Sequence, residues 1–268
     1  MLELQHVSKT FNPGTITEKK ALLDVDLHLN EGDFVTVIGG NGAGKSTMLN
    51  AVAGVFPVDR GTIEIGGVNV TNLPEFKRAA YLGRVFQDPM TGTAATMNIE
   101  ENMALALRRG RPRGLRWGIT NLERQMYREQ LHTLGLGLED RMASKVGLLS
   151  GGQRQALTLL MATYQTPKLL LLDEHTAALD PGTAEKVLAL TRSIVEDNKI
   201  TCLMITHNMQ SALELGNRTL MMDRGRVIYD VSGEERARLT MRDLTDKFRQ
   251  ASGRDLDNDR MLLGVEGK

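Results

Sequence analysis

An α/β fold with a parallel-sheet core follows from three apolar segments and the helical stretches between them. Phe34-Val35-Thr36-Val37-Ile38, Lys168-Leu169-Leu170-Leu171-Leu172-Asp173 and Thr201-Cys202-Leu203-Met204-Ile205-Thr206 are apolar almost throughout. Continuous apolar runs of this length are how strands buried on both faces read. Lys45–Gly54 and Thr183–Asp197 read as helices, the first ending at a glycine of the C′ type. Alternation of β and α then implies a parallel sheet. Ahead of this core, Leu2–Val7 and Leu23–Leu29 alternate apolar with polar residues, as half-buried antiparallel strands do.

The remaining elements follow in order. Thr62–Ile65 alternates again before a Gly66-Gly67 turn, and Tyr81–Phe86 reads as another strand. From residue 88 to 160 the pattern becomes mostly helical. Arg218–Met222 and Arg226–Asp230 read as a closing hairpin, and a polar tail, helical in its first part, begins at Gly233.

Composition narrows the class. The chain has 268 residues, with 33 basic and 33 acidic side chains, so the net charge is zero. A chain dominated by nucleic-acid binding is not expected from such a balance. No apolar run approaches the roughly 18–20 residues of a membrane-spanning helix. The start, Met1–His6, carries no secretion signal, and a single cysteine, Cys202, is expected to be packing in a reducing compartment.

Two local patterns carry chemistry. Gly39-Gly40-Asn41-Gly42-Ala43-Gly44-Lys45-Ser46 lies between a buried strand and a helix. Glycines there let successive backbone N–H groups turn inward into a nest that continues into the helix N-terminus, a site for polyphosphate. Lys45 is placed to reach the β- and γ-phosphates and Ser46, followed by Thr47, to ligate Mg²⁺. Asp173-Glu174 closes a strand of the same sheet, where carboxyl ends converge on the ligand crevice. Asp173 is expected to hold the Mg²⁺ through water, and Glu174 to act as general base on the attacking water.

Leu149-Ser150-Gly151-Gly152-Gln153, about twenty residues before the Asp-Glu pair, resembles the signature of ATP-binding-cassette (ABC) ATPases. The resemblance covers residues 1–230. It implies an α/β, P-loop NTPase fold: a parallel-sheet core with an N-terminal antiparallel β subdomain (1–87 and 161–230), a helical signature subdomain (88–160) and a short C-terminal tail (231–268). It also implies a head-to-tail dimer, each ATP held between the phosphate loop of one copy and Ser150, Gly151, Gly152 and Gln153 of the other.

Further positions match the family's pattern. Gln87 matches the glutamine that contacts Mg²⁺ and the attacking water beside the groove where a membrane partner docks. His207 matches the histidine that hydrogen-bonds the γ-phosphate, and Asp180 the loop that couples the two sites. Phe11 stands where the family keeps a ring for stacking on adenine.

Three departures stand out. His175 replaces a common proline, Gly40 a frequent proline or serine, and Ala156–Thr163 lacks an Arg-Ala pair, so rebuilt bracing contacts are expected on that helix. The arginine-rich stretch Arg108–Trp117 reads either as a solvated loop or as a segment near anionic headgroups.

Only about a hundred residues separate loop from signature, without heptads or a cysteine cluster, which disfavours the soluble relatives that act on DNA or ribosomes. The resemblance implies an ATP hydrolase that drives separate permease subunits from the cytoplasmic face of the inner or plasma membrane. Import is favoured over export, with a periplasmic or surface substrate-binding protein as a further partner. The texture is closest to amino-acid importers.

Overall fold

The computed structural model describes residues 1–110 and 118–253. Most of the arginine-rich stretch, residues 111–117, and the last part of the tail lie outside the described residues. The strands in chain order are β1 (Leu2–Phe11), β2 (Lys19–Leu29), β3 (Phe34–Ile38), β4 (Arg60–Ile65), β5 (Val68–Asn69), β6 (Leu82–Val85), β7 (Leu169–Asp173), β8 (Thr201–Ile205), β9 (Arg218–Asp223) and β10 (Arg226–Ser232). They form two sheets. One is antiparallel, of order β2-β1-β4-β5; the other has the order β10-β9-β3-β8-β7-β6. In the second, β6, β7, β8, β3 and β9 run parallel and only β10 pairs antiparallel. The expected closing hairpin is therefore present, and its first strand extends the parallel sheet beside β3.

Helix α1 (Lys45–Ala53) lies between the sheets. Its Met48, Leu49 and Val52 share one core with Leu4, Leu22 and Ile63 of the antiparallel sheet and Val35, Val37, Leu171 and Leu203 of the parallel one. The alternate residues Leu170, Leu172, Cys202 and Met204 point to the opposite face, against Leu159 and Val195. This is why those strands carry no polar alternation: each face has its own helix layer, and each buried leucine contributes roughly 1.5–3 kcal/mol.

The other helices are α2 (Glu75–Arg78), α3 (Ile99–Leu107), α4 (Asn121–His132), α5 (Gly151–Thr163), α6 (Pro181–Asp197), α7 (Met209–Glu214), α8 (Gly233–Ala237) and α9 (Met241–Ser252). Ile99 and Met103 of α3, Tyr127 and Leu131 of α4, and Ala156, Leu157 and Leu160 of α5 form a separate cluster. Helix α5 thus faces this cluster on one side and the sheet on the other. Its Gly152 packs against α6 so closely that a Cβ would lie 2.1 Å from Thr183 Cγ2.

Two buried arginines, Arg78 and Arg236, and a half-buried one, Arg109, cap helix C-termini, where unpaired carbonyls concentrate partial negative charge. Arg78 donates to Ala51 O and Val52 O of α1, at 2.8 and 2.9 Å. Arg109 donates to Ala162 O of α5 and to Gln165 O, both at 3.0 Å. Arg236 donates to Ala212 O, Leu213 O and Leu215 O at the end of α7. Arg109 is the brace for α5 that its own sequence lacks. Arg108 is likewise used internally, on Ala104 O, Gly118 O and Glu123. Both guanidinium groups are thus spent on internal partners, with Arg108 still about a third exposed.

The polar C-terminal stretch contains a docked helix. Leu244 and Phe248 of α9, one turn apart, are buried against Ile38, Met209, Ala212 and Met221. Among the described residues no helix is long and apolar enough to cross a membrane.

Candidate active site

Strand β3 delivers the chain into the glycine loop, which ends at α1. Gly39 has φ 151° and Gly44 φ 103°. A Cβ on Gly39 would lie 2.2 Å from Met222 O, and one on Gly44 2.6 Å from Ala21 O, so neighbouring strands leave room for glycine alone. Gly44 caps α1 without a side chain. The first-turn amides of α1 have no acceptor within their own helix and point their N–H groups into the cleft.

That cleft is lined by Lys19, Ala21, residues 41–47, Glu174 and His207. Gly39 and Gly40, also expected at the site, do not line it; their carbonyls accept hydrogen bonds from Lys45 Nζ, at 2.7 and 3.1 Å. Burial pulls the Lys45 ammonium below its ordinary pKa, against the opposing pull of Glu174 and Asp173. Ser46 Oγ donates to Asp173 Oδ1 at 3.2 Å. Burial raises the Asp173 carboxyl, Ser46 lowers it, and Glu174 raises it further.

Strands β7 and β8 are neighbours, so their carboxyl ends bring Glu174 and His207 together. His207 Nε2 meets Glu174 Oε1, with both side chains largely buried. Glu174 has φ 46°, a left-handed conformation that costs a non-glycine residue on the order of 1–3 kcal/mol. Its N–H donates to Ile205 O at 3.1 Å, which ties the strained turn to β8.

His175 turns the other way. It is buried, with Nε2 3.0 Å from Thr191 Oγ1. Thr191 spends its own proton on Val187 O at 2.8 Å, so His175 is the donor and carries its proton on Nε2. Desolvation pushes its pKa down to about 4, and the ring is neutral at neutral pH. It ties the end of β7 to α6 and does not line the cleft.

The other expected residues are not gathered here. Ser150 and Gln153 form a reciprocal cap at the start of α5: Gln153 N donates to Ser150 Oγ at 3.3 Å and Ser150 N to Gln153 Oε1 at 3.2 Å. Asp180 caps α6 by accepting from Thr183 N at 3.0 Å, which holds its carboxyl below the ordinary value. Gln87 is exposed just past β6. Phe11 meets Phe56 edge-on, with centroids 5.1 Å apart. None of Phe11, Gln87, Ser150, Gly151, Gly152, Gln153 and Asp180 lines the cleft.

Sequence reading missed several residues at and around the site. Lys19 and Ala21 line the cleft from β2, far from the loop in sequence. Gln155 on α5 is buried and donates to Phe86 O at 3.2 Å, linking the helix that follows Ser150 to the residue preceding Gln87. Arg84 sits over the Phe86 ring, 4.5 Å from its centroid, and hydrogen-bonds Asn50 of α1. No local signal in the sequence marks these contacts, because each joins separate elements.

Known proteins place this architecture. Residues 22–177 match the family model described as ABC transporter. A tyrosine transport ATP-binding protein of Clostridioides difficile (strain R20291) is 42% identical over 260 residues, 94% of this chain and 100% of the relative. The methionine import ATP-binding protein MetN of Sodalis glossinidius (strain morsitans) is 35% identical over 235 residues, and the match spans 85% of this chain and 64% of that longer protein. Among solved structures, the dimeric post-hydrolysis state of the ATP-binding cassette MJ0796 bound to ADP and Pi superposes with a TM-score of 0.73 at 30% identity, covering 87% of this chain and 98% of that one. The loop-strand-helix site and these likenesses agree: the chain belongs to the ABC transporter family and is an ATP-binding, ATP-hydrolysing transport subunit.

Proposed function

We propose that two copies of this chain close head to tail around two ATP molecules and so drive a separate permease. The observation that carries this reading is the division of the expected site. Lys45, Ser46, Asp173, Glu174 and His207 converge, whereas Ser150–Gln153 open helix α5 outside that cleft. A second anion-binding helix N-terminus that its own phosphate loop does not use is suited to the γ-phosphate of a partner's ATP.

Within each site the roles follow from position. The loop amides and Lys45 cradle the β- and γ-phosphates. Glu174 accepts the proton of the attacking water, and His207, in contact with that carboxylate, holds it in place and reaches the γ-phosphate. Ser46 Oγ and Asp173 Oδ1, 3.2 Å apart, are the hard oxygen donors that suit Mg²⁺, with Gln87 a further ligand. Bound there, Mg²⁺ supplies neutralisation of phosphate charge.

A groove lined by Phe76, Arg84, Leu105, Arg108, Thr158 and Met161 is the proposed seat of the permease. Phe76 is 74% and Leu105 43% exposed, so this groove offers apolar surface that a docked partner would cover. Docking there fixes the chain on the cytoplasmic face of the inner or plasma membrane as a peripheral subunit. The likeness to a tyrosine transport protein and to methionine import proteins supports import of an amino acid, delivered by a substrate-binding protein.

Glu174→Gln tests the sandwich. The variant is expected to elute as a dimer with ATP and as a monomer with ADP; a monomer in both overturns the dimer reading. Pull-down from membranes tests the transport role. Recovery of a multi-span permease, with ATPase activity raised by a binding protein carrying an aromatic amino acid, is expected. Nucleic acid or ribosomes in its place overturns it.

A further inference from the structure

Lys19 opens β2, pairs in register with Phe11, and lies across the cleft from the glycine loop. Its Nζ is 3.8 Å from the position a Cβ on Gly42 would take, and apart from Gly42 and its two chain neighbours no other described residue comes within 4 Å of that position. Gly42 has φ 76° and belongs to the loop that presents inward-turned N–H groups. The Lys19 ammonium therefore stands beside Gly42, in the cleft that the anion-binding nest lines.

Its charge balance differs from that of Lys45. Lys45 is buried and already donates to Gly39 O and Gly40 O. Lys9, on the neighbouring strand β1, pairs with Asp59, and the nearby Glu18 carboxylate accepts from Gly14 N. The Lys19 ammonium forms no hydrogen bond or ion pair with any described residue. An exposed ammonium with no carboxylate partner, held by a strand beside a loop of N–H donors, is complementary to one class of ligand, a polyanion seated in the nest.

We propose that Lys19 is a second nucleotide-phosphate contact, supplied by the antiparallel sheet and additional to Lys45. The assignment rests on the nucleotide reading of this cleft. It gives the antiparallel sheet a direct part in binding phosphate, from a strand far from the glycine loop in sequence. A compact ammonium at this exposed position contributes charge to affinity, and its removal weakens binding about three- to tenfold.

Calorimetric titration of ATP in EDTA, where no turnover occurs, tests it on the full chain. Lys19→Ala is expected to weaken ATP binding about three- to tenfold and Lys19→Glu more, whereas Lys19→Arg keeps near wild-type affinity. The Lys19→Ala loss is expected to shrink as salt is raised, since the contact is exposed and screened. Wild-type affinity in both Lys19→Ala and Lys19→Glu overturns the assignment. So does a loss that is the same at low and high salt, which marks packing in place of charge. Failure of the wild-type chain to bind ATP overturns the nucleotide reading itself, so the two failures are distinct.

Discussion

His207 and Glu174 touch across the carboxyl ends of two neighbouring parallel strands, Nε2 against Oε1. The contact makes base and histidine one unit: each orients the other, and the backbone of Glu174 is locked to the strand that carries His207 through its hydrogen bond to Ile205 O.

Residues that act as a unit give non-additive losses. Glu174→Gln is expected to slow phosphate release on the order of a hundredfold or more, and His207→Ala by a comparable factor. The double variant should be little slower than the worse single one. Multiplicative losses in a steady-state phosphate-release assay would show that the two side chains work independently.

His175 makes stability depend on acid. Its folded pKa is about 4 against an ordinary 6.5, so below pH 6.5 the unfolded chain takes up a proton that the folded one refuses. Stability is expected to fall as pH drops from about 6.5 to about 4, by on the order of 3 kcal/mol. Urea midpoints measured over this range check it, and the slope should flatten in His175→Asn. An unchanged slope in that variant would place the acid sensitivity elsewhere.

Gly152 is constrained by packing as well as by any role toward nucleotide. Gly152→Ala puts a methyl 2.1 Å from Thr183 Cγ2, an overlap expected to cost about 1–3 kcal/mol of stability. Thr183→Ser removes that methyl and keeps the backbone amide that Asp180 caps. The double variant should regain most of the lost stability, as read from denaturant midpoints.

The C-terminal segment holds helix α7, which follows His207 in the chain. Phe248→Ala is expected to cost about 3–5 kcal/mol through the cavity it leaves beside Met209 and Ile38. Arg236→Ala is expected to cost about 1–3 kcal/mol by leaving the carbonyls of Ala212, Leu213 and Leu215 without their donor. Both are measured by chemical denaturation. A change under about 0.5 kcal/mol, typical of surface substitutions, would mean the segment is not docked.

Much of the architecture is legible locally. The glycine spacing of residues 39–44, the apolar strand that ends at Asp173-Glu174 and the Ser150–Gln153 cap each sit within a few residues, and each forms the element expected of it. The docked helix α9 was hidden for the opposite reason. Leu244 and Phe248 are two apolar residues in a charged stretch, and only a matching surface on Met209, Ala212 and Met221 shows that they are buried.

The sequence by itself determined the chemistry: which residues can bind phosphate, ligate a hard cation or accept a proton, because those capacities belong to side-chain type and short-range spacing. Tertiary structure alone decided who meets whom. The strand order β10-β9-β3-β8-β7-β6 puts Glu174 beside His207, and the antiparallel sheet carries Lys19 beside Gly42. The same packing spends Arg109 on the end of α5 and leaves Ser150 outside the cleft. Such contacts join segments far apart in the chain, and their pairing is set by the summed burial and hydrogen bonding of whole layers, which no single stretch of sequence contains.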